Sequence, residues 1–391
     1  MTPLLETDRD AARESSRSSG RDSARDRALA RTLLRWFRAN ARDLPWRDRP
    51  LGVPRDPYRV LVSELMLQQT QAARVAERFD GFLDRFPTVE ALAGADEAEV
   101  LALWSGLGYY RRARLLHAAA RAIVHEHGGR FPESAEALRK LPGLGRYTAG
   151  AVASLSFGAR TPAVDANVTR VMLRLEGREL TSSAPEAVAL SWSRAAALHT
   201  TAPRSAPTPA LLNEALIEFG AAVCTPRAPG CLGVLDHGKG CPLTEHCRAF
   251  AAGTQARIPK PKAAPARKPM YFSSVLVRDK LGRLAVTRRP RSGLWAGLHE
   301  APTIERPDRP ATLAEIRRGL GIPKGRGTLH RLDTFEAETS HRACRFEVFV
   351  AALPARPPAS WEFLASASIA GLGLSTPQRR ILLELARTSG K

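Results

Sequence analysis

Three groups of residues in this chain have the types and spacing for chemistry. Glu64 stands in the middle of the almost wholly apolar run Val60 to Leu67. A buried carboxylate costs several kcal/mol unless it is paired, or it keeps its proton through a raised pKa and can then act as a general acid. A Glu that faces a solvated groove, or that sits beside an Arg, fits the same pattern. Asp165 lies in VDANV, at the N-cap position of the helical segment Asn167 to Leu175. The third group is Cys224, Cys231, Cys241 and Cys247, spaced C-x6-C-x9-C-x5-C in one 24-residue window. Four thiolates from so short a segment can ligate an iron–sulfur cluster or zinc. Clustered in this way, they do not resemble a secreted disulfide framework.

These residues need elements to hold them. Leu141-Pro142-Gly143-Leu144-Gly145 reads as a tight turn between two apolar-periodic segments. Pro142 stops the first helix, and Gly143 and Gly145 permit backbone angles that a side chain would forbid. A second helix is predicted from about Arg146 to about Gly158, with its first amides free to hold a phosphate. Asp56-Pro57 starts a further helix, which is buried on several sides. Gln68, Gln69 and Thr70 are expected to continue that helix as short, uncharged hydrogen-bonding groups suited to probing a base. Leu44-Pro45-Trp46-Arg47 offers an aromatic and an Arg that can stack on a base and touch a phosphate. A Trp packed under a loop fits the spacing equally. In Trp104 to Arg112, Gly turns, Tyr109, Tyr110 and Arg residues occur together. They fit either a DNA-facing wedge or a helix corner with solvated Arg.

The chain has 391 residues, enough for two or three domains. Its 44% hydrophobic and 25% charged content is that of a soluble globular protein. No apolar run approaches a membrane span, and the N-terminus has no apolar signal region, which speaks against a membrane partner and against secretion. The net charge of +20 favours a polyanionic partner. Residues 1–28 carry almost no large apolar residue and read as a disordered tail. Residues 29–254 read as a helical domain, including an Ala-, Ser- and Pro-rich stretch over 181–210. Residues 255–269 turn to Lys, Arg, Pro and Ala and read as an extended linker. Eleven basic residues against one acid over 257–291 suit phosphates.

Residues 270–391 read as an α+β domain. YFSSVLVRD, a Lys280-Leu281-Gly282 turn and LAVTRR predict a hairpin. A helix is expected over 311–320, followed by the strands HRLDTFEAE and CRFEVFVAAL and by a helix from Pro377 capped by Thr376. Cys344 reads as a core thiol.

In this order, SELMLQQTQ, GLGYYRRAR, LPGLGRYTAGAV and VDANVTRV resemble the MutY-type adenine DNA glycosylases of the endonuclease III, helix-hairpin-helix superfamily. Those enzymes remove adenine mispaired with 8-oxoguanine. The resemblance runs from about Leu29 to Cys247, and a second part follows beyond it. It implies a multidomain fold: an all-α helix-hairpin-helix core with an iron–sulfur lobe, and an α+β, Nudix-like C-terminal domain. It implies Glu64 as the acid that protonates adenine, Asp165 as the ionised partner of the sugar cation, and Tyr147 and Asn167 as groups shaping the site. Bifunctional relatives carry Lys where this chain has Tyr147, whose phenol forms no imine, so strand nicking is not expected. Glu214 matches the position that contacts the extruded adenine.

The resemblance also implies a 4Fe–4S cofactor, although the family spacing C-x6-C-x2-C-x5-C is here seven residues longer between Cys231 and Cys241. The insertion would place His237 and Lys239 near DNA if it faces that way. GLWAGLHEAP resembles the GLWxGLWEFP segment of the family's Nudix-like domain, yet no Glu-rich Nudix box is present, so pyrophosphate hydrolysis is not expected. Thr339-Ser340-His341 stands where the family has a Phe-Ser-His loop that reads 8-oxoguanine. The implied partner is duplex DNA with an 8-oxoguanine:adenine or guanine:adenine mispair, bound by a monomer in the cytoplasm.

Overall fold

The computed structural model describes residues 23–202, 209–232, 240–262, 266–325 and 327–388. Residues 1–22, most of the expected tail, lie outside these, as do His237 and Lys239 in the inserted loop and parts of the 181–210 stretch and of the linker. Among the described residues no helix is long and apolar enough to cross a membrane. The chain divides into two compact units. Among the described residues, one comprises those up to 83, 88–90 and 118–262, and the other 84–87, 91–117 and those after 262.

The helices are, in order, α1 over 23–40, α2 Pro57–Leu67, α3 Ala72–Arg85, α4 Val89–Ala93, α5 Glu97–Leu103 and α6 Arg111–His127. After them come α7 Ala135–Leu138, α8 Arg146–Phe157, α9 Ala166–Leu175, α10 Pro185–Thr201, α11 Pro209–Ala222 and α12 Arg248–Ala251. Helix α1 starts inside the segment expected to be a tail. Arg25 there bonds Glu176 and the carbonyls of Leu175 and His246, and Asp26 pairs with Arg194. The core of the first unit joins Leu33 and Phe37 of α1 to Val168 and Met172 of α9 and to Leu212 and Phe219 of α11.

Residues 255–260, expected as linker, pack against this unit instead. Ile258 is buried beside Leu173 and Ala249, its carbonyl accepts from Arg174, and Lys260 N–H donates to Leu180. An apolar side chain and two backbone groups that find partners outweigh the segment's basic, Pro-rich composition.

The second unit carries two sheets. Strands β1 Lys268–Val277, β4 Thr303–Arg306, β5 Leu329–Glu338 and β6 Arg342–Ala351 form one sheet in the order β4-β1-β6-β5. Strands β2 Leu284–Arg288, β3 His299–Glu300 and β7 Glu362–Leu364 form the other, in the order β3-β2-β7. The first sheet is mixed, since β1 runs parallel to β6. Phe272, Phe346 and Phe335 lie in one row across β1, β6 and β5 and stack at 4.6 and 5.0 Å.

The predicted β1–β2 hairpin does not form as a ladder. A turn closed by the Asp279 carboxylate does join the strands, but past the single Arg278–Leu284 bridge they enter different sheets. The β5–β6 hairpin forms as predicted. Helix α13 Leu313–Leu320 begins with a capping box made by Thr312 and Glu315. After α14 Ser366–Ala370, helix α15 Thr376–Arg379 is capped by Ser375, not by Thr376. The Ser375 hydroxyl reaches Gln378 N–H, one residue earlier than expected, and Pro377 stays in the first turn.

Candidate active site

The turn between α7 and α8 takes the expected shape. Gly143 sits at φ +79°, a conformation that only glycine adopts without strain, and Gly145 is the N-cap of α8. Gly150, one turn into α8, lets the chain come close from the far side: a Cβ there would stand 2.5 Å from the Pro162 carbonyl oxygen. That contact brings the loop before α9 onto α8, and Asp165 ends that loop. Its carboxylate caps α9, with Oδ1 accepting from Val168 N–H at 2.7 Å and Oδ2 from Asn167 Nδ2 at 2.7 Å.

Helix α2 begins where Asp56 accepts from Tyr58 N–H with Pro57 in the first turn. It carries Glu64 into the same groove. That groove encloses about 2240 Å³ of empty space, including its open mouth. Glu64, Tyr147, Asp165, Asn167 and Glu214 all line it, together with Trp46, Arg47, Gln69, Thr70, Gly143 and Gly145. Glu64 is only 7% exposed, and its Oε2 has no hydrogen-bond partner among the described residues. Burial pushes its pKa up to about 7. A hydrogen bond from Tyr147 opposes that rise, the charges of Asp165 and Glu214 add to it, and Arg55 works against it. Tyr147, itself buried, is held well above its ordinary pKa and keeps its proton to donate. Burial raises the Asp165 pKa overall, and the bonds from Val168 and Asn167 and the charge of Arg170 limit the rise. The site therefore holds two carboxyl groups, one poised to carry a proton and one supplied with donors for its anionic form.

Gln68, Gln69 and Thr70 do not continue α2. The helix ends at Leu67, and Gln69 takes φ +56° in the turn that follows. Gln68 reaches Thr148 across the groove at 3.3 Å. A non-glycine residue in the left-handed region stores strain, and such strain collects at functional sites.

Trp46 is buried edge-on against Phe79. Arg47 is not presented to a phosphate. Its side chain is 9% exposed, lies over the Phe37 ring, and bonds Glu214 at 3.1 Å and Glu218 at 3.0 Å. Arg55 reaches both Glu214 oxygens, at 2.9 and 3.0 Å, and Arg42 pairs with Glu218. Burial would raise the Glu218 pKa, but the hydrogen bond from Arg42 and the charge of Arg47 lower it overall. Sequence reasoning missed Arg55, Arg42 and Glu218. The four-residue spacing of Glu214 and Glu218 on one helix was the available signal, since it sets both carboxylates on one face.

Arg170 was missed as well. Its Nε donates to the Cys224 carbonyl at 2.8 Å, and its Nη2 donates to Asn167 Oδ1 at 2.9 Å and to the Gly220 carbonyl at 2.8 Å. The cysteine lobe is thereby joined to Asn167, and through Asn167 to Asp165.

All four of Cys224, Cys231, Cys241 and Cys247 line a second, small cavity, whose walls include Val171, Phe219 and Leu243. None of the four is joined in a disulfide. Burial raises the pKa of Cys231 and Cys247 and pushes Cys241 up to about 12, and neighbouring thiols add to each rise. Arg174 donates to Cys224 Sγ at 3.2 Å. Backbone N–H groups of Leu243 and Phe250 donate to Cys241 and Cys247. Among the described residues no three His, Cys, Asp or Glu side chains converge as one metal ion requires.

Tyr109, Ser340 and His341 belong to the second unit, where the first two meet. The Tyr109 hydroxyl lies 2.6 Å from Ser340 Oγ. Tyr109 is 47% exposed at φ +47°, with the Arg112 guanidinium 5.4 Å from its ring. Ser340 and His341 are exposed on the β5–β6 turn. Thr339 closes that turn, because its Oγ1 accepts from the N–H groups of Arg342 and His341.

Residues 62–196 match the family described as HhH-GPD superfamily base excision DNA repair protein. The chain is 35% identical to adenine DNA glycosylase of Homo sapiens over 379 residues, covering 83% of this chain and 67% of that protein. It is 44% identical to adenine DNA glycosylase of Mycolicibacterium smegmatis over 232 residues, covering 58% of this chain and 72% of the relative. Its fold is similar to that of a thermostable thymine-DNA glycosylase, with TM-score 0.50 and 28% identity over 59% of this chain and 98% of the other.

Proposed function

The chain belongs to the adenine DNA glycosylase family, and from that premise we propose that it removes adenine mispaired with 8-oxoguanine or guanine, without cutting the strand. The observation that carries this reading is Glu64, a buried carboxyl with a pKa near 7 whose Oε2 has no partner among the described residues, in one groove with Asp165. An adenine inside a duplex cannot be reached, so it must be flipped into the groove. Glu64 then gives its proton to adenine N7, and the C1′–N9 bond breaks with its electron pair going to the base. The Asp165 carboxylate stands against the positive charge left on the sugar. Water adds to C1′ and gives its proton to Glu64, which restores the starting state. The division of labour is that of glycoside hydrolysis. With Tyr147 in place of an amine, no covalent imine forms and the backbone stays intact.

The cysteine cavity fits a 4Fe–4S cluster better than zinc. A tetrahedral zinc site would hold its sulfurs about 3.8 Å apart, given Zn–S bonds of about 2.3 Å. The four thiols line one cavity, and among the described residues no three of them converge on a single-ion position. Cys224, Cys231, Cys241 and Cys247 would hold the cluster, with Arg174 and the N–H donors of Leu243 and Phe250 serving its sulfurs. Bound there it would supply a structural cross-link, since glycosidic hydrolysis transfers no electrons. The proposed arrangement is a helical catalytic core ending near the last cysteine and a Nudix-like part, in a monomer, that reads the opposite base through Ser340 and His341.

The test is Glu64→Gln. It is expected to abolish adenine release while keeping affinity for the 8-oxoguanine:adenine duplex. Rapid release of adenine by this variant would overturn the assignment of the acid.

A further inference from the structure

We propose that Asn213 is a positioning residue for the glycosylase reaction: it clamps the loop that delivers Asp165 to the groove. The proposal rests on the reading of Asp165 given above. Asn213 is 1% exposed and sits on α11 directly before Glu214. Its amide uses every position it has. Oδ1 accepts from Ala163 N–H at 2.9 Å and from His199 Nε2 at 3.0 Å. Nδ2 donates to Ser154 Oγ at 2.9 Å and to the Thr161 carbonyl at 2.9 Å.

Two of these bonds face the loop over 159–164 and two face the core. The loop-facing pair grips the backbone at Thr161 and Ala163, within four residues of Asp165. The core-facing pair fixes the amide against α8 and α10. With Nδ2 occupied by two acceptors, Oδ1 has to be the atom facing His199, so His199 donates through Nε2. Burial lowers the His199 pKa, partly offset by its bond to Asn213, and its Nδ1 has no partner among the described residues. A neutral ring with one N–H therefore fits the position.

The loop also rests on Gly150 at Pro162, through Arg160 on the His199 carbonyl and through Val164 in the core, while Asn213 supplies the side-chain bonds to its backbone at Thr161 and Ala163. Gly158 ends α8 in the left-handed conformation, and Thr161 N–H bonds only two residues back, to Ala159. Asp165 itself is held by its own cap bonds on α9, but those bonds orient the carboxylate relative to α9, not relative to α2 and Glu64. Asn213 ties the approach to α9 onto α8 and α11, which also carry Tyr147 and Glu214. Together with the Gly150–Pro162 contact, it thus sets the distance between the two carboxyl groups.

The bonds separate into two experimental classes. Asn213→Asp keeps Oδ1 for Ala163 and His199 but loses the Nδ2 donors to both Thr161 and Ser154, and Asn213→Leu loses all four bonds. Ser154→Ala removes only a core-facing bond. Rates are read as single-turnover adenine release, normalised to the active fraction found by burst titration, with duplex affinity and Tm measured alongside. A displacement of about 1 Å near the reacting groups costs about a hundredfold in rate. Both Asn213 variants are therefore expected to lose at least about tenfold in rate with duplex affinity unchanged, while Ser154→Ala lowers Tm and stays within about threefold of the parent rate.

If Asn213→Leu yields no folded protein, the isosteric Asn213→Asp decides. A parent-like rate in Asn213→Asp, or equal rate losses in Asn213→Asp and Ser154→Ala, would overturn the proposal. Asp165→Asn is measured in the same series. If that variant releases adenine at the parent rate, it is the reading of Asp165 that fails. If it is inactive while Asn213→Asp is unaffected, only the clamp is refuted.

Discussion

Gly220→Ala tests how closely the groove is built. Gly220 lies on α11 where that helix crosses α9, and a Cβ there would stand 2.7 Å from Asn167 Cβ and 3.0 Å from its carbonyl oxygen. Ordinary contact begins at 3.4 Å, so the two helices must part by about 0.7 Å, the difference between 3.4 and 2.7. Alanine is favoured over glycine inside a helix by about 1 kcal/mol. Overpacking costs about 1–3 kcal/mol, so the net change in stability is small, between nothing and a loss of about 2 kcal/mol. The rate should suffer more. Asn167 holds Asp165 Oδ2 and accepts from Arg170, and Arg170 also bonds the Gly220 carbonyl. If 1 Å costs about a hundredfold, a shift of 0.7 Å costs about 25-fold. The assay is single-turnover adenine release beside thermal unfolding. A variant with unchanged rate and raised Tm would refute the reasoning, because it would show that the contact does not position Asn167.

Further expectations follow from the charges. Because Glu64 must carry a proton and its pKa lies near 7, the single-turnover rate should be highest below neutrality and fall as the pH rises through about 7. Tyr147 lowers that pKa, so Tyr147→Phe should move the falling limb to higher pH; a limb that stays in place would show that another group controls it. The same shift has a sign for stability. A carboxyl whose folded pKa is raised from 4.5 to about 7 weakens the fold as pH rises between those values, by about 3 kcal/mol when complete, so the parent should lose stability over that range more steeply than Glu64→Gln in urea unfolding. Arg47→Ala removes one partner from two buried carboxylates and should cost about 3 kcal/mol of stability, read by the same method.

Local signals were legible in the sequence, and contacts between distant segments were not. The Leu-Pro-Gly-x-Gly turn and the cap at Asp165 depend on neighbours in the chain, and the structure forms both. Glu64 could be read as buried because its helix is apolar nearly all round. The Arg55–Glu214 pair beside it could not be read, since the two stand 159 residues apart and nothing local pairs them. Arg47 looked like a phosphate contact because an exposed Arg beside a Trp is common, whereas here two carboxylates on α11 claim it. Gln69 looked helical by continuity, yet the chain turns at Leu67 to open the groove. The expected β1–β2 hairpin failed for a similar reason. The turn was right, but Phe272 finds its stacking partner on β6, and that draws β1 into the other sheet.

The most direct measurement is single-turnover incubation of a duplex with one adenine opposite 8-oxoguanine, labelled on the adenine strand and analysed with and without hot alkali. The account predicts a full-length strand that breaks at the adenine only after alkali, because Glu64 and Asp165 release the base and Tyr147 cannot cut the backbone. A break without alkali, or an intact adenine strand in a complex that binds the duplex tightly, would contradict it.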